Sequence, residues 1–311
     1  MRQITNSVLM VRPANFKSNP ETKINNHYQV GLENVLPATL QQKALKEFDN
    51  YVDQLKAIGV NVIVVEDHKE RITPDAVFAN NWISFHENGN VGLYPMFAKN
   101  RRLERREDVL DILESKGFVI NDVIDYTSAE DEGFYLEGTG SIVLDRQNRK
   151  AYCALSARTD EDLCIEFCED FEFTPVIFKA TQTVNHKREL IYHTNVMLSI
   201  GNTFAIVCLD CVEDKKERKN LLKHLKSDGK HVINLTEAQV ASFAANAIQL
   251  TNNKQESFLI ISTLAYNALT ASQIKSIEAH TNIVSVNLET IETYGGGSAR
   301  CMITEIFLPV I

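Results

Sequence analysis

The sequence lacks the features that would place it in several broad classes of protein. Its apolar runs, such as residues 258–262, stop far short of the about 18 residues that a membrane-spanning helix needs. Lysine and arginine number 32 against 41 aspartate and glutamate, a net charge of -9, which gives no global attraction to a phosphate backbone. A content of 44% hydrophobic and 23% charged residues excludes a disordered or collagen-like chain. Membranes and nucleic acids are therefore not expected as partners.

Cysteine is also scarce, with six residues in the chain. That is too few for a disulfide scaffold, and no basic and apolar leader is recognisable before Asn6, so we expect ordinary thiols in the cytoplasm. Cys208 and Cys211 form a CxxC pair, but zinc would need a second pair at suitable spacing, and Cys164 and Cys168 form a CxxxC within a predicted helix. The sequence therefore indicates neither a metal nor an organic cofactor.

What the chain does contain is an alternation of strand-like and helix-like segments from end to end. Residues 82–86 and 91–94 flank an Asn-Gly pair and predict a hairpin, and similar hairpins are predicted within 141–155 and 196–209. Apolar periodicity and N-cap residues predict helices at 39–58, 105–115, 160–168, 214–227, 236–250 and 271–280. Hairpin, helix and strand recur at intervals of about 50 to 60 residues, which predicts a closed, pseudo-symmetric α/β array. Since no linker rich in proline, glycine or serine divides the chain, we expect one domain over residues 1–311.

Polar residues occupy four segments where strand ends or tight turns are expected, at 74–82, 136–141, 192–196 and 295–302. Repeats around an axis bring equivalent ends together, so Glu137, His193 and Cys301 are expected to converge. A thiolate that attacks, a histidine that moves protons and a carboxylate that orients them suit covalent catalysis. Each residue alone has a plainer interpretation, because a lone cysteine is more often a small buried hydrophobe and a glycine triplet usually marks a turn. The triplet at 295–297 is not a phosphate cradle, since the Lys-Ser/Thr ending of a P-loop is missing.

The same segments resemble a known family. Gly-Gly-Gly-Ser-Ala-Arg-Cys-Met at 295–302 resembles the GGGxxRCM end of arginine deiminases, and Pro-Asp-Ala-Val-Phe at 74–78 resembles the DAVF segment of dimethylarginine dimethylaminohydrolases. With Leu-Glu-Gly-Thr-Gly at 136–140 and His193, the chain resembles the guanidine-modifying, or amidinotransferase, superfamily over nearly its whole length. The resemblance implies a five-bladed α/β propeller, the pentein fold, built of pseudo-symmetric ββαβ modules. It also implies Cys301 as nucleophile, His193 as general acid and base, and Glu137 as a carboxylate that binds and positions the substrate.

The resemblance further assigns residues to substrate binding. It places Asp75 and Phe78 in the pocket. Residues 98–104 look like the family segment with a paired arginine, here Arg101 and Arg102, for which a solvated run of charges is an equal alternative. Arg158 looks like the arginine that holds the α-carboxylate of an amino acid, a role that suits the planar fork of a guanidinium.

Departures from the family pattern bear on the substrate. Members that handle arginine place carboxylates where this chain has Asn81 and Asn195, and Asn80 replaces an acid found in some relatives. A buried guanidinium without carboxylate partners costs several kcal/mol, whereas a neutral ureido group needs only the donors and acceptors that an amide supplies. The substitutions favour a ureido substrate, and chains of this description resemble a subgroup named for citrulline utilisation.

The sequence therefore predicts a cysteine hydrolase that cleaves a non-peptide carbon–nitrogen bond of a small amino acid, citrulline-like in its ureido group, through a covalent adduct on Cys301. One alternative keeps the chemistry but makes the substrate arginine or an N-substituted arginine, for a deiminase, dihydrolase or amidinotransferase. A second alternative, from another class, is a non-catalytic propeller that binds an amino acid or a protein. Assembly into a homo-oligomer is compatible with each.

Overall fold

In the part of the chain that the structure describes, the strands form five three-stranded sheets of one pattern and one separate hairpin. The computed structural model describes residues 1–29 and 36–311. In order along the chain, its strands and helices are β1 Ser7–Arg12, α1 Pro37–Ala57, β2 Asn61–Glu66, β3 Ile83–Phe85, β4 Asn90–Leu93, α2 Asp108–Ser115, β5 Asp122–Asp125, α3 Gly138–Ser141, β6 Ile142–Asp145, β7 Lys150–Ala154, α4 Glu161–Asp170, β8 Thr174–Phe178, β9 Thr181–Val184, β10 Lys187–Leu190, β11 Leu198–Ile200, β12 Phe204–Val207, α5 Lys215–Ser227, β13 His231–Asn234, α6 Glu237–Ala241, β14 Ile248–Thr251, β15 Ser257–Ser262, α7 Thr263–Ala268, α8 Ala271–Glu278, β16 Asn282–Val286, α9 Glu289–Gly295 and β17 Thr304–Glu305.

Each three-stranded sheet has a middle strand with one antiparallel and one parallel neighbour. In the sheet of β3, β4 and β5, β4 pairs antiparallel with β3 and parallel with β5. The sheets β6-β7-β8, β11-β12-β13 and β14-β15-β16 repeat this pattern. A helix between the second and third strands of each unit makes the parallel crossover possible, as a parallel pair requires. The hairpins predicted at 82–94, 141–155 and 196–209 are confirmed by these pairs.

The remaining sheet joins the two ends of the described chain. Its middle strand β1 pairs parallel with β2 and antiparallel with β17, so that Val8 lies opposite Glu305 and Leu9 opposite Thr304. We call β3, β6, β11, β14 and β17 the inner strands, because β17 lies beside β3, β6 beside β11, and β11 beside β14. The antiparallel edges of these sheets thus lie together in two groups, β17 with β3, and β11 with β6 and β14.

The helices cover the outer faces of the sheets with apolar side chains. In α1 the residues at helical spacing, Leu40, Ala44, Phe48 and Leu55, are fully buried against β1, β2 and β16. Helices α4 and α5 start at Asp160 and Asp214, whose carboxylates accept hydrogen bonds from backbone N–H groups of the first turn. None of the helices in the described part of the chain is long and apolar enough to cross a membrane.

Two predictions about local structure are wrong. The helix expected at 236–250 is only the short α6, because Phe243 adopts a left-handed backbone conformation (φ 60°) and the chain then extends into β14. Cys153 and Cys164 were expected as thiols, but they form a disulfide, since α4 packs on the sheet that contains β7. The other four cysteines are buried thiols, as predicted.

Candidate active site

Short helical turns lead into the inner strands and carry most of the polar side chains of interest. The turn at Ala79–Asn81 precedes β3, α3 precedes β6, Thr194–Val196 precedes β11 and Ala299–Met302 precedes β17. Since the inner strands lie side by side, these turns also meet, with α3 against the turns before β3 and β11, and the turn before β3 against that before β17. The prediction that Glu137, His193 and Cys301 converge is met by this arrangement, and His193 and Cys301 line one pocket.

The thiol of Cys301 receives two amide donors. Nδ2 of Asn246 lies 3.2 Å from Sγ, and Nδ2 of Asn195 lies 3.5 Å from it. All three side chains are buried, with Cys301 3% exposed. Hydrogen bonds to a sulfur stabilise negative charge that develops on it, so the two amides are placed to assist when this sulfur reacts. The sequence reasoning missed Asn246, which precedes β14 as the other polar residues precede their inner strands.

His193 is held by the carboxylate of Glu137. Its Nε2 lies 2.7 Å from Oε2 of Glu137, while Oε1 accepts the backbone N–H of Phe97 at 3.0 Å. With Nε2 engaged, Nδ1 is the ring atom left to exchange a proton with a substrate. Burial lowers the pKa of His193 to about 4, although the hydrogen bond and charge of Glu137 oppose this shift. Above that pH the free protein therefore presents a neutral imidazole.

Glu137 is ionised because cations surround it. Burial alone would raise its pKa, but Arg158, His193 and Arg101 hold it well below the ordinary value. Nη1 of Arg158 lies 3.4 Å and Nη1 of Arg101 3.8 Å from Oε2. The carboxylate can therefore stabilise an imidazolium at His193 during reaction without taking up the proton itself.

Arg158 lines the pocket but is occupied by the protein. Its Nε donates to Oδ1 of Asn25 at 2.9 Å, its Nη2 donates to the backbone oxygen of Thr22 at 2.9 Å, and its guanidinium carbon lies 4.8 Å from the ring centre of Tyr192. The predicted contact with an α-carboxylate stays a prediction. No sequence pattern singles out Asn25, whose contact with Arg158 depends on how a loop folds over the pocket.

The two consecutive arginines have different environments. Arg101 is buried, donates to both Glu104 oxygens and to Oδ1 of Asn81 (2.8 Å), and lines the pocket. Arg102 points elsewhere, with Nε 3.2 Å from the backbone oxygen of Met96 and 3.3 Å from Glu130, and does not line the pocket. Arg102 thus lies outside this pocket, because successive residues of this tight turn face in different directions, and its part in a substrate-binding pair stays a prediction.

Two residues of the Asp-Ala-Val-Phe segment at 75–78, Asp75 and Phe78, form part of the wall of the pocket. Oδ2 of Asp75 accepts from Asn19 (2.8 Å) and Thr22 (3.0 Å), while its buried Oδ1 has no partner. Burial raises the pKa of Asp75, against the charge of Arg101. The ring of Phe78 packs so closely on the glycine triplet that a Cβ on Gly297 would come within 2.8 Å of it, which explains the missing side chain.

Asn80 does not reach the pocket, contrary to prediction. Its Nδ2 lies 3.3 Å from Oγ1 of Thr139, and the residue is fully buried behind the wall. Asn81 does line the pocket, and its Nδ2 is buried without a hydrogen-bond partner. The buried oxygens Oδ1 of Asn195 and Oδ1 of Asn246 also lack partners. Of these three residues only Asn81 lines the pocket, so a molecule bound there would satisfy its Nδ2, since buried polar groups in folded proteins are normally paired. Asn195, predicted to bind substrate, lies outside the lining, and its substrate contact stays a prediction.

A segment near the start of the chain covers the site. Besides the contacts of Asn19, Thr22 and Asn25, Nδ2 of Asn26 donates to the backbone oxygen of Gly296 at 3.1 Å. Beneath this cover the pocket has a volume of about 260 Å³, including its opening. Within residues 1–29 and 36–311, no group of three or more His, Cys, Asp or Glu side chains is arranged to hold a metal ion.

Comparison with known families places the chain among guanidine-modifying enzymes. The sequence profile of the family described as N,N dimethylarginine dimethylhydrolase, eukaryotic, matches residues 12–308, which is nearly the whole chain. No curated protein sequence matches.

Solved structures show the same fold at low identity. The arginine dihydrolase ArgZ of Cyanobacteria aligns with 98% of this chain at a TM-score of 0.70 and 18% identity, and AgrE bound to L-arginine aligns with 98% at 0.73 and 17%. A dimethylarginine dimethylaminohydrolase aligns over 97% of this chain and 100% of its own, at 0.65 and 14%. The chain spans only 41% of ArgZ and 40% of AgrE, but 99% of the separate N-terminal domain of ArgZ. These structures support an α/β fold of the pentein type.

Proposed function

Because the chain belongs to the N,N dimethylarginine dimethylhydrolase family of the guanidine-modifying superfamily, we propose that it uses Cys301 to cleave a carbon–nitrogen bond of a ureido or guanidino amino acid. Membership of this family makes the chain a hydrolase of non-peptide carbon–nitrogen bonds. The residue roles, the substrate and the arrangement of the sheets are parts of the proposal. Location in the cytoplasm and a homo-oligomeric state stay predictions.

We further propose that the five three-stranded sheets are the five blades of one propeller domain over residues 1–311. Support comes from their common strand pattern and from the neighbouring inner strands, whose leading turns surround Cys301. The pairing of β1 with β17 would close the ring.

In the proposed reaction the Cys301 thiolate adds to the carbon of the ureido group. Asn195 and Asn246 stabilise the sulfur before attack, and Nδ1 of His193 carries the thiol proton to the departing amine. The carbon–nitrogen bond to the amine breaks, leaving a carbamoyl group on sulfur. Water, deprotonated by His193, then releases carbamate, which decomposes to ammonia and carbon dioxide. This route replaces attack by poorly activated water with attack by a thiolate.

The observation that carries the ureido assignment is the unpartnered Nδ2 of Asn81. The guanidinium of Arg101 can only donate hydrogen bonds, so the amide atom of Asn81 that it contacts must be the oxygen, Oδ1. The other amide atom, Nδ2, is therefore the one left without a partner. A buried donor needs an acceptor, which a ureido oxygen provides and a guanidinium does not. The orientation of Asn246 is fixed in the same way by its hydrogen bond to the backbone oxygen of Asn195, which leaves its Oδ1 without a partner, but Asn246 does not line the pocket. Citrulline is an amino acid with such a ureido oxygen.

Arginine or an N-substituted arginine is the second candidate, and Asp75 fits it as well as it fits a ureido amino acid. Its unpartnered Oδ1 lines the pocket and would pair with a cation, either a guanidinium or the α-ammonium group that both classes of substrate share.

Incubation with citrulline tests the first candidate directly. We expect equal amounts of ornithine and ammonia from the parent protein, none from Cys301→Ala, and parental activity from Cys168→Ala, which removes a buried thiol outside the pocket. Absence of both products with citrulline, together with ureido product from labelled arginine, would establish the second candidate. Absence of turnover with either, and of a covalent adduct on Cys301, would refute a catalytic site.

A further inference from the structure

A second cavity lies between the inner strands, separate from the pocket of Cys301. Its wall includes Gln3, Ser199 and Gln249, and none of its lining residues lines the catalytic pocket. The space between its atoms is about 430 Å³, part of it open to solvent. The catalytic groups precede the inner strands, whereas most of the wall of this cavity comes from the inner strands themselves and from Arg146, which follows β6. Thr139, Ala247 and Arg300, which precede inner strands, complete the wall.

Arg146 is buried in this wall with its charge uncompensated. Its side chain is 2% exposed, and its guanidinium carbon lies 3.9 Å from the ring centre of Phe307. Within the described residues the side chain forms no ion pair or hydrogen bond, and its Nη1 is buried without a partner. Among the arginines that the structure describes, only Arg146 has such an orphaned nitrogen. Arg101 and Arg158, which are equally buried, donate to several protein groups.

The other charges around the cavity do not neutralise Arg146. Arg300 donates through Nη1 to the backbone oxygen of Ile303 and through Nη2 to Glu305, both at 2.8 Å. Two guanidinium groups and one carboxylate therefore line the cavity, a net charge of one positive unit. Burial lowers the pKa of Arg146, with Glu305 opposing this shift and Arg300 adding to it. An isolated buried charge costs several kcal/mol, so a cavity of this kind favours an anion.

The side chain of Gln3, beside Arg146, has all its hydrogen-bonding needs met within the protein. Nε2 of Gln3 donates to the backbone oxygens of Leu144 and Ile200, at 2.9 and 3.2 Å, and its Oε1 accepts the backbone N–H of Arg146 at 2.7 Å. Gln3 thus fixes the backbone of Arg146 between two inner strands, while the guanidinium stays free to bind. A guanidinium whose face lies on an aromatic ring still has the N–H groups along its edge available as donors. Two such N–H groups can bind two oxygens of a phosphate or carboxylate at once.

We propose that this cavity is a binding site for a small oxyanion, a phosphate or a carboxylate, with Arg146 as its principal ligand. The site is distinct from the catalytic pocket and does not rest on the proposed function. Arg300 and Cys301 are consecutive, so an anion between Arg146 and Arg300 would contact the turn that carries the nucleophile.

Thermal unfolding of the whole protein tests the proposal. We compare three salts at equal ionic strength: sodium phosphate, sodium acetate and sodium chloride. The proteins are the parent, Arg146→Met and a control, Arg149→Met, which removes a partly exposed arginine in the same turn. We expect the Tm of the parent and of Arg149→Met to rise by about 4 °C at a hundred times the Kd of phosphate or acetate, relative to chloride. Arg146→Met should lose this rise. No rise with either oxyanion, or an equal rise in Arg146→Met, would overturn the proposal.

Two further measurements locate the site. The rise should persist after Cys301 is alkylated, because alkylation fills the catalytic pocket but not this cavity; loss of the rise would assign the anion to the catalytic pocket and refute the proposal. Crystals of the parent soaked in selenate should give an anomalous peak within hydrogen-bond distance of Arg146, even if Arg146→Met fails to fold. Peaks at other sites alone would contradict the assignment.

Discussion

Nδ2 of Asn246 lies 3.2 Å from Sγ of Cys301, and the same Nδ2 lies 3.2 Å from the backbone oxygen of Asn195. One amide therefore ties the proposed nucleophile to the turn that carries His193. Asn246 belongs to none of the motifs that carry the family resemblance, yet its amide lies nearer to the sulfur than that of Asn195 does.

Replacement of Asn246 should slow the reaction of the thiol. In Asn246→Ala one donor to sulfur is lost, so alkylation of Cys301 by iodoacetamide at neutral pH should slow about tenfold, since a hydrogen bond to a charged group contributes about 1.5 kcal/mol or more. Asn246→Asp should slow it further, because a carboxylate repels a thiolate. Mass spectrometry of the labelled peptide gives the rate, with the exposed Asn253→Ala as control. Parental rates in both Asn246 variants would contradict the assignment.

The activity should depend on pH through His193. Only neutral His193 accepts the thiol proton, and its pKa of about 4 means that kcat/KM should fall as pH drops through about 4, well below the ordinary range of histidine. The carboxylate of Glu137 raises this pKa, so Glu137→Gln should move the acid limb to still lower pH and reduce the plateau. Rates are measured only where unfolding controls show folded protein. An acid limb near 6.5 would show that His193 is not the group involved.

A side chain at position 140 should disable the site. A Cβ on Gly140 would lie 2.8 Å from Nδ1 of His193 and would also clash with Nδ2 of Asn81. Gly140→Ala should therefore lower kcat by about a hundredfold or more, since displacement of catalytic groups by about 1 Å has effects of that size. Gly201→Ala is a matched control, because its Cβ would crowd Gln249 and Phe204 at 2.6 Å, outside the catalytic pocket. Equal losses of activity in both variants would indicate general destabilisation.

Glu292 should make stability fall as pH rises. It lies in α9 and accepts a hydrogen bond from Ser298 at 2.5 Å, and burial raises its pKa to about 7. Between its unfolded value near 4.5 and about 7 the folded state holds the extra proton, so the free energy of unfolding decreases as pH increases. Between pH 5 and pH 8, the Tm of the parent should therefore fall by roughly 2 to 4 °C more than the Tm of Glu292→Gln does.

Differential scanning fluorimetry across this pH range measures the Glu292 effect. The exposed Glu278→Gln should follow the parent at every pH. A constant difference between parent and Glu292→Gln would show that Glu292 does not titrate in this range.

Local patterns in the sequence predict the parts of this structure that local physics determines. The hairpin around Asn88-Gly89 and the helix α1 follow from turn chemistry and apolar periodicity, and both are present. Glu137, His193 and Cys301 stand out because polar residues at the start of apolar strands have few structural reasons to be there.

The features that sequence reasoning missed depend on contacts between distant segments. Asn246 lies in an alanine-rich stretch whose periodicity indicates a helix, and only packing against Cys301 makes it a site residue. The disulfide of Cys153 and Cys164 depends on how a helix sits on its sheet. The opposite orientations of Arg101 and Arg102 follow from a tight turn that no periodic pattern reports.

The pairing of β17 with β1 has a consequence for the timing of protein synthesis. Cys301 lies shortly before β17, and the partner strand β1 is synthesised much earlier than either. A growing chain therefore carries Glu137 and His193 long before it has its reactive thiol. The amide groups of Asn195 and Asn246 are likewise synthesised before the sulfur to which they donate. The surroundings of Cys301 are therefore made before Cys301 itself.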